Sequence, residues 1–437
     1  MNFQLWLLLV LTSIYSGWCV RIQSENYNPD IDLDVPGLIN KYGYPVEIHT
    51  VTTDDGFILT LHRIPHGRVG TRSENEIQTR EPVLMQHGLL ASSCSWILAS
   101  PEKAPAYIMA DAGYDVWLGN ARGNRYSRAH TRLSPDEEKF WDFSWDEMAS
   151  LDIPAVIDYI LLTTKHQQLY YIGHSMGTTI FFACMATQTK YQSKVKAMFA
   201  LAPVANVSYI KSPIKYLAPF ASVIEKLMEL LGEYEFLPHN DNFTKWKEYV
   251  CTTYNFEELM CRNAIFFLTG FDAPQFNLTW LPVILSHNPA GTSVRTVAHY
   301  AQQYNDGKFE HYDFGKEENM RRYHQTTPPL YYPTRIKVPV VLMSGKNDFL
   351  ADPKMIDMQS KISHYFKKAS AMQDKQVHLP HSLPPSDSTS ILVFVCCLRL
   401  FIVITDRMSL SNLLMDVLRQ LVSLICLLCT PYPSCGQ

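Results

Sequence analysis

The residues around Ser175 have the types and spacing for acyl transfer. Gly173-His-Ser-Met-Gly177 follows the short apolar run Leu169-Tyr-Tyr-Ile172 and leads into an apolar-rich pattern from Met176 to Cys184. The run suits a buried strand and the following pattern suits a helix, which puts Ser175 on the sharp turn between them as a nucleophile elbow. Glycines without a Cβ let the backbone turn tightly there and let the helix close on the strand. The hydroxyl then faces outward, and the helix start offers unpaired N–H groups and a positive dipole end to a developing oxyanion. A serine so placed attacks a carbonyl carbon, provided that a base takes its proton and an acid orients the base.

Such an elbow is the signature of the α/β-hydrolase fold, which dictates where the other parts should lie. Pro82-Val-Leu-Met-Gln86 reads as a buried strand ending at His87-Gly-Leu-Leu90. The loop after this strand contributes one oxyanion donor and the residue after the nucleophile the other, so the N–H groups of Leu89 and Met176 are the expected pair. Gly88 allows the backbone to approach closely. The chain order serine, acid, histidine points to the loop Gly345-Lys-Asn-Asp-Phe-Leu-Ala-Asp352 after a late strand within Lys337–Ser344. Asp348 is favoured as the acid, because Asp352 precedes Pro353 and looks like a helix start.

The elements that must position these groups are legible along the chain. Glu47 to His62 alternates apolar and polar residues around Asp54-Asp-Gly56, a hairpin signature. Arg68 to Glu81 reads as a surface loop. Tyr114-Asp-Val-Trp-Leu118 is a strand that ends in the turn formers Gly119-Asn-Ala-Arg-Gly123, and Lys196 to Pro203 supplies another strand. Phe143 to Tyr159 reads as a helix before the elbow strand, with Pro154 awkward in its interior unless the helix begins nearby. Repeated strands and helices predict an α/β fold, a mainly parallel sheet with helices on both faces.

The rhythm changes from 204 to about 329, where amphipathic and aromatic-rich segments predict an inserted helical cap or lid. There Ile224, Leu227, Met228 and Leu231 form one helical stripe, widened by Val223 and Leu230. The first expectation is that it packs on the domain core; the second is an apolar lid face over a lipid pocket. The organisation is then a signal segment at 1–19, a hydrolase core at 30–203 and 330–381, the insertion at 204–329, and an apolar tail at 382–437.

Lys and Arg total 38 against 42 for Asp and Glu, a formal charge of -4, which argues against nucleic acid as a partner. The apolar run Leu5–Leu11 before Gly17 and Cys19 resembles a secretory signal, although its first residues lack Lys or Arg. Entry to the secretory pathway, toward the lysosome or the exterior, gives meaning to the glycosylation patterns at Asn206, Asn242 and Asn277. In that compartment Cys251 and Cys261, close in sequence, are the disulfide candidates. Cys184 reads as a core thiol. Cys426-x-x-Cys429 lacks the second pair or His cluster of a zinc site, so neither metal nor cofactor is expected.

With these residues in view, the sequence resembles the acid lipase family in its invertebrate form, the group that includes gastric and lysosomal acid lipases. The likeness runs from about Tyr42 to about Pro353. It rests on Lys41-Tyr-Gly-Tyr-Pro45, Gln86-His-Gly-Leu-Leu90, Ala110-Asp-Ala-Gly-Tyr-Asp-Val-Trp-Leu-Gly-Asn120, Phe143-Ser-Trp-Asp-Glu-Met148, Gly173–Gly177, Ser286-His-Asn-Pro-Ala-Gly-Thr-Ser293 and Asn347–Asp352. The resemblance implies a neutral-lipid esterase acting at a lipid–water interface, with Ser175 as nucleophile, Asp348 as acid, and Leu89 and Met176 as oxyanion donors. It also implies a cap disulfide between Cys251 and Cys261. Many members carry Gln where Met176 stands, which leaves the backbone donor in place.

From Met355 onward the chain departs from the family, which continues with a strand and a Tyr-x-His-Leu-Asp-Phe-like segment. His378, 30 residues past Asp348, is the first candidate for the triad base, with His364 and His381 as alternatives. The tail is strongly apolar at Ile391–Ile404 and Leu410–Cys429, yet the first run is short and holds Arg399, and the second holds Asp416 and Arg419. A stable membrane span is therefore disfavoured, and an altered splice is the preferred origin of the tail. The rival functions are a carboxylesterase for soluble esters and a lipid-binding pseudoenzyme without a working histidine.

Overall fold

The computed structural model describes residues 28–68, 79–239, 280–345, 348–351 and 366–368. The expected hairpin forms at Asp54-Asp-Gly56. There β1 (Glu47–Thr52) pairs antiparallel with β2 (Phe57–Ile64), and Gly56 turns the chain at φ +101°, a conformation costly for other residues. Further strands are β3 (Pro82–Gln86), β4 (Asp115–Leu118), β5 (Leu169–His174), β6 (Val195–Leu201), β7 (Val340–Met343) and β8 (Phe366–Lys368). Their order across the sheet is β1-β2-β4-β3-β5-β6-β7-β8. Only β2 runs against its neighbours; β4, β3, β5, β6, β7 and β8 pair in parallel.

Parallel pairing requires crossovers, and these cover both faces of the sheet, which explains why the central strands are apolar at almost every position. On one face α1 (Val35–Lys41) and α2 (Pro105–Asp111) bury Leu38, Ile39, Tyr107 and Met109 against Val83, Met85, Val116, Tyr170 and Ile172. On the other, α3 (Ile153–Thr164) and α4 (Met176–Thr187) bury Ile157, Ile160, Ile180 and Phe181 against Leu84, Trp117, Tyr171 and Met198. Cys184 is a buried free thiol in that second layer, as expected.

The helix expected over Phe143–Tyr159 forms from Trp145 to Thr164, with a change of register inside it. Ser144 and Glu147 form a capping box on the single turn Trp145–Glu147, a π turn follows over Met148–Asp152, and α3 begins at Ile153 with Pro154 in its first turn. The π turn, in which the Ile153 N–H bonds to the Met148 carbonyl, shifts the ladder where Pro154 has no N–H to give. At this turn Asp152 Oδ1 accepts from Arg122 Nε at 2.8 Å and Nη2 at 2.6 Å. Arg122, fully buried, donates from Nη1 to Asp55 at 2.6 Å as well. One guanidinium thus ties the loop after β4 to the hairpin turn and to the start of α3.

The described residues between β6 and β7 are mainly helical, with α5 (Ala221–Leu230), α6 (Leu281–His287), α7 (Val294–Asp306) and α8 (Lys316–Tyr323), and a short antiparallel pair joins Glu235–Phe236 to Thr292–Ser293. Here one expectation is corrected: the stripe on and after α5 does not pack on the core. Val223, Leu227, Leu230 and Leu231 are 64%, 54%, 85% and 66% exposed, and α5 has no buried residue. The helix is tethered instead through Glu225, whose carboxylate accepts from the Tyr312 hydroxyl at 2.7 and 2.8 Å, leaving the apolar stripe in solvent. Among the described residues no helix is long and apolar enough to cross a membrane.

Candidate active site

Ser175 sits between the end of β5 and the start of α4 at φ 50° and ψ -115°. A non-glycine residue rarely holds this conformation, and it persists only where its surroundings over-determine it. Four bonds do so. Ser175 N–H donates to the Leu201 carbonyl at 3.0 Å, and the Ser175 carbonyl accepts from Thr178 N at 2.8 Å, Thr179 N at 3.4 Å and Thr178 Oγ1 at 2.6 Å. The glycines have the role that the motif implies. A Cβ on Gly177 would stand against the Gln86 carbonyl and 2.9 Å from that of His87, and one on Gly173 would lie 2.9 Å from the Gly177 carbonyl. Helix α4 can therefore close on β3 and β5 only without those atoms.

The His87–Leu90 loop lies against the elbow: a Cβ on Gly88 would be 3.2 Å from Ser175 Cβ. Met176 opens α4, and Leu89 is half-buried in this loop. Among the described residues neither the Leu89 nor the Met176 N–H donates to a protein acceptor, which leaves two main-chain donors beside Ser175.

A polar network holds this loop, and sequence reasoning missed it. His87, fully buried, accepts at Nε2 from Ala121 N at 3.0 Å, with Asn124 Nδ2 at 3.1 Å, and its Nδ1 lies 2.7 Å from the Gly88 carbonyl. Asn120 Oδ1 accepts from Ser93 N at 2.9 Å and Asn124 Nδ2 at 3.0 Å. Leu90 takes φ 59°, and its carbonyl accepts from Ala290 N at 2.8 Å, so the Ser286–Ser293 motif braces the loop from outside. The available signal was the cluster of turn formers Gly119–Gly123, read only as a loop.

Asp348 lies in the loop after β7, two strands from β5 and at the same sheet end as the elbow. Its Oδ1 accepts from Leu350 N and Ala351 N, both at 2.8 Å. The Phe349 carbonyl anchors the loop by accepting from Lys211 N at 2.8 Å and Ser212 N at 3.1 Å. His174 reaches solvent, yet the protein around it lowers its pKa by desolvation, and the Asp348 carboxylate opposes that shift.

His378, His364, His381, Cys251, Cys261, Asn242, Asn277 and Asp352 lie outside the described residues, as do the signal segment and the apolar tail. Asn206 is half-buried, with Nδ2 donating to the Gly307 carbonyl at 2.8 Å. Among the described residues no three His, Cys, Asp or Glu side chains gather as a metal site.

Two family models match the sequence, a partial alpha/beta-hydrolase lipase region over residues 35–100 and the alpha/beta hydrolase fold over residues 81–372. Human Lipase member K is 43% identical over 355 residues, 80% of this chain and 86% of that protein. Bovine gastric triacylglycerol lipase is 42% identical, covering 77% of this chain and 84% of its own length. Lipase lipl-1 of Caenorhabditis elegans is 41% identical over 75% of this chain and 80% of that protein.

Proposed function

Because the chain belongs to the acid lipase family of α/β hydrolases, we propose that it hydrolyses the carboxylic esters of neutral lipids, triacylglycerol or cholesteryl ester, with Ser175 as nucleophile. The observation that carries this reading is the strained elbow at Ser175 beside two main-chain N–H groups that have no acceptor among the described residues. His378 takes the proton as Ser175 Oγ bonds to the ester carbon, and Asp348 orients that imidazole. The Leu89 and Met176 N–H groups stabilise the tetrahedral oxyanion, each contributing about 3 kcal/mol to the transition state. The C–O bond then breaks, the alcohol leaves with the proton from His378, and water repeats the sequence on the acyl-enzyme.

The insertion from 204 to 329 acts as a cap in this reading. The choice of lipid over soluble ester is supported by its exposed apolar surface, where Tyr216, Leu217 and Phe220 continue the α5 stripe at 70%, 57% and 60% exposure. Contiguous apolar surface of this kind marks a lipid or protein interface. The signal segment, a Cys251–Cys261 disulfide and glycans at Asn206, Asn242 and Asn277 complete a secreted or lysosomal enzyme.

Hydrolysis of emulsified long-chain triacylglycerol, compared with a soluble short-chain ester, tests the proposal. The expected result is preference for the emulsion, with the double variant Leu227→Glu/Leu230→Glu losing activity there and keeping it on the soluble ester. Equal loss on both, or preference for the soluble ester, would contradict it.

A further inference from the structure

The His87 ring has one tautomer consistent with its neighbours. Nε2 faces two groups that can only donate, the Ala121 main-chain N–H and the Asn124 amide. The amide's orientation is itself forced, since Asn124 Oδ1 accepts from Tyr126 N and Ser127 N, both at 3.0 Å. Nε2 is therefore bare, the proton is on Nδ1, and Nδ1–H donates to the Gly88 carbonyl at 2.7 Å. That carbonyl and the Leu89 N–H are the two ends of one planar trans peptide, so holding one end fixes the direction of the other.

We propose that His87 is a positioning residue of the oxyanion hole, aiming the Leu89 N–H by holding the Gly88 carbonyl. The inference rests on Leu89 being an oxyanion donor, as in the proposed function. The Gly88 carbonyl is steadied on its other side by Ala91 N at 3.3 Å, and a Cβ on Gly88 would meet His174 Nδ1 at 3.0 Å. Burial also lowers the His87 pKa to about 4, which keeps the ring neutral in ordinary conditions.

Two amide replacements separate aiming from packing, since an Asn amide overlays the Nδ1 position and a Gln amide overlays Nε2. His87→Asn keeps a donor for the Gly88 carbonyl and leaves the Ala121 N–H unmatched; His87→Gln does the reverse. The structural cost should thus be greater for His87→Asn, while the fall in kcat should be greater for His87→Gln. On a soluble ester, His87→Gln is expected to lose about 30-fold in kcat with KM within about threefold, and His87→Asn at least tenfold less, on the scale of a misaimed oxyanion donor. A kcat order that follows the stability order, or wild-type kcat in His87→Gln, would overturn the inference.

Leu89→Pro, which removes the donor itself, separates the two readings. If it keeps wild-type kcat, the oxyanion assignment fails and the inference falls with it; if it is impaired while His87→Gln is not, only the inference falls. Should the variants not fold, ¹⁵N-histidine spectra of the wild-type protein decide. A proton on Nδ1 of His87 supports the aiming role, and one on Nε2 overturns it.

Discussion

The Thr178 hydroxyl donates to the main-chain carbonyl of Ser175 at 2.6 Å and accepts from Val204 N at 2.8 Å. It therefore joins the elbow to the chain leaving β6, within the fully buried first turn of α4. Thr179 extends the connection, donating to the Val204 carbonyl at 2.8 Å and accepting from Tyr300 of α7 at 3.1 Å.

Thr178→Val keeps the shape and removes the hydroxyl, leaving the Val204 N–H buried without its acceptor. A loss of about 1–3 kcal/mol is expected in urea unfolding, together with a fall in kcat as the elbow relaxes, and Thr178→Ser should recover most of both. Unchanged stability in Thr178→Val would show that the hydroxyl does not hold the turn.

The two glycines flanking the site should fail differently. Gly177→Ala puts a Cβ against main-chain oxygens of Gln86 and His87 that cannot yield, and should cost about 3 kcal/mol or more. Gly88→Ala meets side-chain atoms, His174 Nδ1 at 3.0 Å and Ser175 Cβ at 3.2 Å, which can shift. It should fold with a loss of about 1 kcal/mol and still lose most of its kcat, because the atoms that shift belong to the elbow. Paired melting curves and kinetics check the contrast, and parallel losses in the two variants would contradict it.

Much of this was legible in sequence because it depends on local spacing. The elbow came from an apolar run meeting Gly-x-Ser-x-Gly, and the hairpin from alternation around Asp54-Asp-Gly56. The surroundings of Pro154 were half legible: the proline signals a local irregularity, while the π turn before it and the contact of Asp152 with Arg122 are carried by no local pattern. The stripe after Val223 was read toward the core, since periodicity marks an apolar face and says nothing of what it faces. The bracing of the oxyanion loop by Asn120, Asn124 and Ala290 is long-range: the turn formers Gly119–Gly123 signal a loop and do not show what that loop holds.

Among the described residues, four buried histidines contribute to the acid limb of stability. His62, His87, His287 and His299 each have their pKa lowered by burial to about 4. A histidine whose folded pKa lies below its unfolded value of about 6.5 binds its proton preferentially in the unfolded chain. Its full contribution is present above that value and is lost as the pH falls toward 4, at about 1.4 kcal/mol per pH unit for each ring. Urea unfolding between pH 8 and 4 should therefore be flat in this respect above about 6.5 and decline below. His62→Asn, which keeps an amide beside Ser93 Oγ, should make the decline shallower by about one ring's share. An identical slope in the variant would contradict the assignment.

The account stands on Ser175 as an activated nucleophile, and reaction with a serine-directed phosphonate measures that directly. Mass analysis of the folded protein should find one phosphonyl group on the peptide holding Ser175. Ser175→Ala should abolish the adduct and lower ester hydrolysis by about 10⁴-fold or more. Labelling should slow sharply in His378→Ala and continue in His364→Ala and His381→Ala. No adduct on folded wild-type protein, or hydrolysis retained in Ser175→Ala, would contradict the account and leave a lipid-binding protein with a hydrolase fold.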